Sequence, residues 1–239
     1  MQISPIKTRV FLENEDLIAF ILEYVKKLPE KSVLIITSKI VALSEERTVE
    51  YKNKKQKESL VKKESVFALK TKFVWFTIKN DAIMADAGID ESNAEGKLVL
   101  LPKDSFASAN KIRSALCTRY KIKNLGIIIS DSGLLPLRNG VIGMARGYAG
   151  FKGVKNYEGE KDIFGRKFKY SKTNIADGLA TAATLCMGEG AERQPMALIT
   201  NAPIVFSNKL NKKEMIIKKS DDIFYPLLKN LDEKRKQKN

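Results

Sequence analysis

The chain contains no histidine. That absence excludes a Ser-His-Asp or Cys-His catalytic arrangement and every metal site built on imidazole. Any acid-base or metal chemistry must therefore run on carboxylates, hydroxyls, amides and lysines. Oxygen ligands of that kind suit hard ions such as Mg²⁺ or Mn²⁺. Cysteine is nearly as scarce. Cys117 and Cys186 have no CxxC spacing and no partner cluster, so each reads as a small buried hydrophobe rather than half of a disulfide or a zinc ligand. No apolar run approaches the roughly 18 residues of a membrane span. The opening "MQISPIKTRVFLENEDL" lacks the charged-then-apolar order of a secretory signal, and the chain is expected in the cytoplasm with no membrane partner.

What is present is enough for a sizeable core: 239 residues, 44% hydrophobic and 30% charged, in one large domain or two small ones. The net charge of +15 would raise the local concentration of anions. Its excess sits mostly in "YKNKKQKESLVKKES" (51–65), "NKLNKKEMIIKKS" (208–220) and the tail "DEKRKQKN", each read as a solvated face or chain end. Without an RNP-like, zinc-finger or helix-turn-helix signature, specific nucleic-acid binding is not expected.

Along the chain, "DLIAFILEYVKKL" (16–28) has helical spacing, and "SVLIITSKIVAL" (32–43) reads as a β-rich apolar run. "FVWFTI" (73–78) is a further strand candidate. Asp104 can cap a helix in which Ala109, Ile112, Ala115, Leu116 and Arg119 recur at helical intervals. "LGIIIS" (125–130) has the length and β-branching of a covered strand that ends at "SDSG". The glycine-dense stretch 140–154 predicts tight turns between short strands. Residues 174–187 predict a buried helix stopped by Gly188, and "MALIT" (196–200) a return to the sheet. This order of elements gives an α+β fold with mixed sheets and packed helices.

Acidic residues stand out against the basic background. "MADAGIDESNAEG" (84–96) gathers Asp86, Asp90, Glu91 and Glu95 in a turn-like segment. Asp131 follows the buried strand, and Glu189 sits between glycines just past a helix end. A carboxylate there meets the negative end of the helix dipole, at a cost of a few tenths to about 1 kcal/mol that a bound cation would offset. A solvated carboxylate is the plainer alternative.

Together, "AGIDESN", "IISDSG" and "MGEG" resemble motifs of the coenzyme F-420-0:L-glutamate ligase family. "SKIVALSEER", "LLPKDSFASANKIR", "LRNGVIGMARGYAG", "KDIFGRKF" and "ADGLATAATLCMGEG" follow the same family's order, so the resemblance spans roughly residues 5 to 200. It implies a γ-glutamyl ligase-like catalytic region over 1–205 in two unequal lobes, with the lysine-rich 206–239 completing the domain or partly flexible. It also implies a homodimer. The implied reaction joins L-glutamate, through its amine, to a carboxylate-bearing coenzyme acceptor, with GTP or ATP as cosubstrate, two divalent cations (Mg²⁺ or Mn²⁺) and an acyl phosphate. By the same resemblance Asp90 and Asp131 would hold the first ion, and Ser132 and Glu189 the second. Ser38, Lys39, Asn93 and the loop with Gly188, Gly190 and Ala191 would contact the nucleotide.

The sequence departs from the family at "DSGLLPLRNG", where Leu134 or Leu135 stands in place of an arginine, and at Leu43, in place of a lysine. Arg138 remains. Leucine cannot supply the bidentate fork that arginine offers an anion, so the acceptor is expected to be of either F-420-0 or folate type. The alternative is an inactive relative that binds anions or RNA through its lysine-rich faces.

Overall fold

The computed structural model describes residues 1–229; the tail "DEKRKQKN" lies outside the described residues. In chain order the elements are β1 (Gln2–Ile6), α1 (Leu17–Tyr24), β2 (Ser32–Thr37), α2 (Ser38–Ser44), β3 (Thr48–Glu50) and α3 (Lys54–Glu64). There follow β4 (Phe67–Lys70), β5 (Trp75–Lys79), β6 (Ala82–Ala85), β7 (Lys97–Val99), α4 (Ser105–Tyr120) and β8 (Leu125–Leu134). The last are β9 (Val141–Ala149), β10 (Val154–Asn156), β11 (Lys172–Asn174), α5 (Ile175–Met187) and β12 (Met196–Thr200). The fold is α+β with several sheets. Among the described residues the five-stranded one alone is mixed and the smaller ones are antiparallel, where mixed sheets were expected throughout.

The main sheet has the order β1-β12-β2-β8-β9. Only the central pair, β2 and β8, is parallel; the other neighbours are antiparallel. Strand alternation divides the core between two faces. From β2, Leu34 and Ile36 point with Ile127 and Ile129 of β8 toward α1 and α4, meeting Phe20, Ile21, Ile112 and Leu116. Val33, Ile35 and Ile128 point the other way, onto Ala176, Leu179, Ala180 and Ala183 of α5. Both faces are covered, so β2 reads as an unbroken apolar run, as a doubly buried strand must. A smaller cluster of Val61, Ala87, Ile89, Leu98 and Leu100 gathers around α3, β7 and the short turn Asp86–Gly88.

The helix signals hold where they are local. Asp16 caps α1, Asp104 caps α4 through the Ala107 N–H, and Asn174 caps α5 through the Asp177 N–H. Gly188 ends α5 with φ +83°; a Cβ there would lie 2.3 Å from the Glu192 carboxyl carbon, so the position admits glycine alone without rearrangement.

Four further expectations are corrected. The run 32–43 is not one β segment: the strand ends at Thr37 and α2 begins at Ser38. Short apolar runs do not distinguish strand from buried helix, and here Ile40 and Val41 gain burial by turning back onto the core. The strand from Leu125 does not stop at Ser130 but continues through "DSGL". Residues 141–149 form one strand of 9 residues rather than a series of tight turns. Gly147 serves close packing instead: a Cβ would come within 2.4 Å of the Ser105 backbone at the start of α4. Finally, Cys186 is exposed and Cys117 only partly buried.

The segment after β12 is tied to the sheet. Ser207 N–H donates to the Gly150 carbonyl at 2.9 Å, and Glu214 accepts from the Tyr148 hydroxyl at 2.5 Å and the Gly153 N–H at 2.8 Å. Among the described residues no helix is long and apolar enough to cross a membrane.

Candidate active site

The carboxyl edge of the parallel pair β2 and β8 opens into a cleft of about 620 Å³. Ser38, Lys39, Asp90, Asn93, Asp131, Ser132, Gly188, Glu189, Gly190 and Ala191 all line it. Every residue that the family resemblance assigns to a metal ion or the nucleotide thus reaches one cavity, from segments far apart in the chain. Thr37 is paired with Ser130 in the parallel register, so Ser38 and Asp131, the next residue on each chain, emerge side by side. The Ser38 hydroxyl donates to Asp131 Oδ1 at 2.9 Å.

Lys39, one position on, reaches the opposite wall. Its Nζ lies 2.7 Å from Asp90 Oδ2 and donates to the Ser92 carbonyl at 2.7 Å. Asp90 is not in a loose turn: its N–H and carbonyl both pair with Val99, at 2.9 and 2.8 Å. Its carboxylate also accepts the Ser92 N–H and hydroxyl. Asp86 and Glu91 turn to a different cation. Asp86 accepts the Trp75 N–H at 2.7 Å and pairs with Lys57, which also approaches Glu91. Of Asp86, Asp90, Glu91 and Glu95, only Asp90 lines the cleft.

On the third wall, Ser132 donates to Glu189 Oε2 at 2.6 Å, joining β8 to the loop that follows α5. The negative end of the α5 dipole faces this region, where a cation is favoured. Neighbouring Gly190 N–H is bound to Glu192 at 2.8 Å.

The surroundings push the two central acids in opposite directions. Burial pushes the Asp131 carboxyl above the usual range, and the nearby charge of Asp90 adds to the push; Arg146 and the Ser38 hydroxyl act against it. Burial also disfavours ionised Asp90, but the Lys39 ammonium and the Ser92 N–H outweigh it and hold that carboxyl below its ordinary value. Among the described residues no group of three or more acidic or cysteine side chains lies close enough to hold a metal ion. The donor chemistry nevertheless fits a hard cation, since carboxylate and hydroxyl oxygens at Asp90, Asp131, Ser132 and Glu189 are the ligands Mg²⁺ and Mn²⁺ take.

The departures separate by location. Leu43 lines the cleft. Leu134 and Leu135 are 50% and 43% exposed and, like Arg138, do not line it. Sequence reasoning missed Ser92, although a serine two residues after an aspartate is a recognisable Asx-turn pattern. It also missed Arg9 and Arg193 at the cleft, and Arg146 behind Asp131, for which no local signal exists.

A partly polar cleft of this size at the strand ends of an α+β sheet has the form of a small-molecule site. Comparison with known proteins specifies the kind. The chain belongs to the F420-0:Gamma-glutamyl ligase family, a family of amide-forming ligases, whose model matches residues 5–201. The coenzyme F420:L-glutamate ligase of Methanococcus maripaludis strain C7 is 32% identical over 244 residues, covering 94% of this chain and 97% of the relative. That of Methanosarcina mazei is 33% identical over 242 residues, covering 93% and 94%. The enzyme of the same name from Methanocaldococcus jannaschii is 38% identical over 152 residues, covering 64% of this chain and 60% of the relative.

Proposed function

We propose that this protein is a nucleotide-dependent γ-glutamyl ligase that joins the amine of L-glutamate to a carboxylate of an F-420-0-type coenzyme acceptor. The observation that carries the reading is the convergence of Ser38, Lys39, Asp90, Asn93, Asp131, Ser132 and the 188–191 loop on one cleft, in a chain similar over almost its whole length to coenzyme F420:L-glutamate ligases.

The γ-phosphoryl group of GTP or ATP passes to an acceptor carboxylate oxygen, and the nucleoside diphosphate leaves. The glutamate amine then attacks the acyl carbon, losing a proton as phosphate departs and the amide forms. Two divalent ions held by Asp90, Asp131, Ser132 and Glu189 would supply charge neutralisation at the phosphates. The chain's own residues do the rest. Lys39, on a flexible stem at the cleft wall, turns from Asp90 toward a phosphate oxygen. Asn93 and the Gly188–Ala191 backbone fix the nucleotide. Ser38 keeps Asp131 oriented, and no protein nucleophile is needed. The region around the smaller hydrophobic cluster acts as a second lobe, contributing Asp90 and Asn93. The chain works as a homodimer, with the exposed Ile163, Phe164 and Tyr170 offering apolar surface to a second copy; light scattering tests the molar mass.

The test is phosphate release from GTP and from ATP, with Mg²⁺ or Mn²⁺ and L-glutamate, on adding the F-420 precursor or tetrahydrofolate. Acceptor-dependent release with a product heavier by one glutamate supports the ligase, and folate as the sole acceptor would revise its substrate. No release with any combination, alongside salt-sensitive RNA binding, would overturn it in favour of an anion-binding relative.

A further inference from the structure

One buried charge near the cleft has no part in the scheme above. Arg146 lies on β9, its side chain 6% exposed, with Nε 3.5 Å from Asp131 Oδ2 and Nη2 donating to the Ser132 carbonyl at 3.0 Å. Its Nε–H has no hydrogen-bond partner, although a buried donor without a partner is costly.

The backbone is shaped to put it there. Ile129 faces Gly147 while Ser130 faces Ala145, so Arg146 is the extra residue of a β-bulge and has no opposite number on β8. Bulges re-aim side chains, and they recur beside active sites for that reason. The Ala145 N–H, at the bulge, is taken up by Asp177 of α5 at 2.8 Å. Helix and sheet together hold the guanidinium in position.

The two cations ion-paired with Asp90 and Asp131 therefore differ in kind. Lys39 touches Asp90 directly, is 24% exposed and sits on a stem that can swing away. Arg146 is buried, held by a hydrogen bond to the Ser132 carbonyl as well as by its ion pair with Asp131 at 3.5 Å, and Asp131 is also bonded by Ser38. When a divalent ion takes Asp131, Lys39 can leave but Arg146 stays, a like charge a few ångströms from the ion.

We propose that Arg146 is a positioning residue of opposite sense to a ligand: a fixed positive charge that weakens the affinity of Asp131 for a free divalent cation. The ion is then held firmly only when nucleotide phosphates bring compensating negative charge. Metal and nucleotide binding become coupled, which disfavours a metal-loaded site without its substrate. The inference rests on the metal-dependent reading given above.

The test is Mn²⁺ binding, followed by electron paramagnetic resonance, to wild type, Arg146→Met and Arg146→Lys, each with and without a non-hydrolysable GTP or ATP analogue. Loss of the charge is expected to tighten Mn²⁺ binding without nucleotide by about tenfold and to shrink the further gain on adding the analogue. Arg146→Lys, which keeps the charge, should stay within about twofold of wild type. Equal or weaker binding by a folded Arg146→Met chain overturns the inference but leaves the ligase reading standing. No Mn²⁺ binding by wild type, even with either analogue, overturns both the inference and the metal site. If Arg146→Met does not fold, wild type still decides: the Arg146 Nε–H resonance, assigned by its loss in Arg146→Lys, must shift on Mg²⁺ addition. An unmoved resonance at saturating Mg²⁺ overturns the inference.

Discussion

Lys39 Nζ lies 2.7 Å from Asp90 Oδ2 and donates to the Ser92 carbonyl at 2.7 Å, so one side chain from α2 clamps the segment that carries the opposite wall of the cleft. Substituting Lys39→Met removes both the clamp and a phosphate-reaching cation. Nucleotide KM is expected to rise about 10- to 100-fold, with a smaller change in glutamate KM. Steady-state kinetics with each substrate varied in turn checks this, and an equal rise for all substrates would point to general loosening instead.

Asp131→Asn separates charge from shape. The amide oxygen can still accept the Ser38 hydroxyl, and the substitution removes a carboxylate that burial already disfavours. Ligase turnover should fall by at least about 100-fold, while urea unfolding shifts by no more than about 1–2 kcal/mol. A turnover near wild type would remove Asp131 from the chemistry.

Away from the cleft, Glu64 pairs with Lys79 at 2.7 Å and with Arg47 at 3.1 Å. Burial raises its carboxyl, but Lys79 and Arg47 outweigh this and leave it below the ordinary value of 4.5. A depressed carboxyl stabilises the fold above its unfolded value, and that contribution is lost as pH falls through the folded one. Glu64→Gln should therefore cost about 1–2 kcal/mol at pH 7. The difference from wild type should close as pH drops below about 4, where the unfolded glutamate is already largely protonated. Urea titrations across that range measure the gap. A gap that stays constant would mean that packing, not charge, is responsible.

Asp177 accepts the Ala145 N–H at the bulge and the Asn174 side-chain amide. Asp177→Ala leaves a partly buried donor unpaired and should destabilise the chain by about 1–3 kcal/mol. Asp177→Asn, whose amide oxygen can replace the acceptor, should cost less than half as much. Chemical denaturation of the pair tests whether that hydrogen bond, rather than side-chain volume, fixes the bulge.

Much of the fold was legible because its signals are local. Asp104 and Gly188 mark helix ends by their own chemistry, and the β-branched run at 125–130 needs no distant partner to read as a covered strand. Candidate site residues were legible as short motifs in a fixed order. The run 32–43 was misread because Ile40 and Val41 suit a strand or a buried helix equally well, and only packing against the core chooses between them.

The sequence by itself determined the chemical repertoire: without histidine, the polar groups the cleft offers are carboxylates, hydroxyls, lysine, arginine, and side-chain and backbone amides. It also fixed which segments carry those groups. Tertiary structure alone decided their pairing. Ser38 meets Asp131 because β2 and β8 run parallel in one register, Lys39 meets Asp90 because α2 turns toward the 84–96 segment, and Arg146 faces Asp131 because a bulge adds one residue to β9. Register and bulge are properties of two strands together, set by burial on both faces of the sheet, and neither strand's sequence contains them alone.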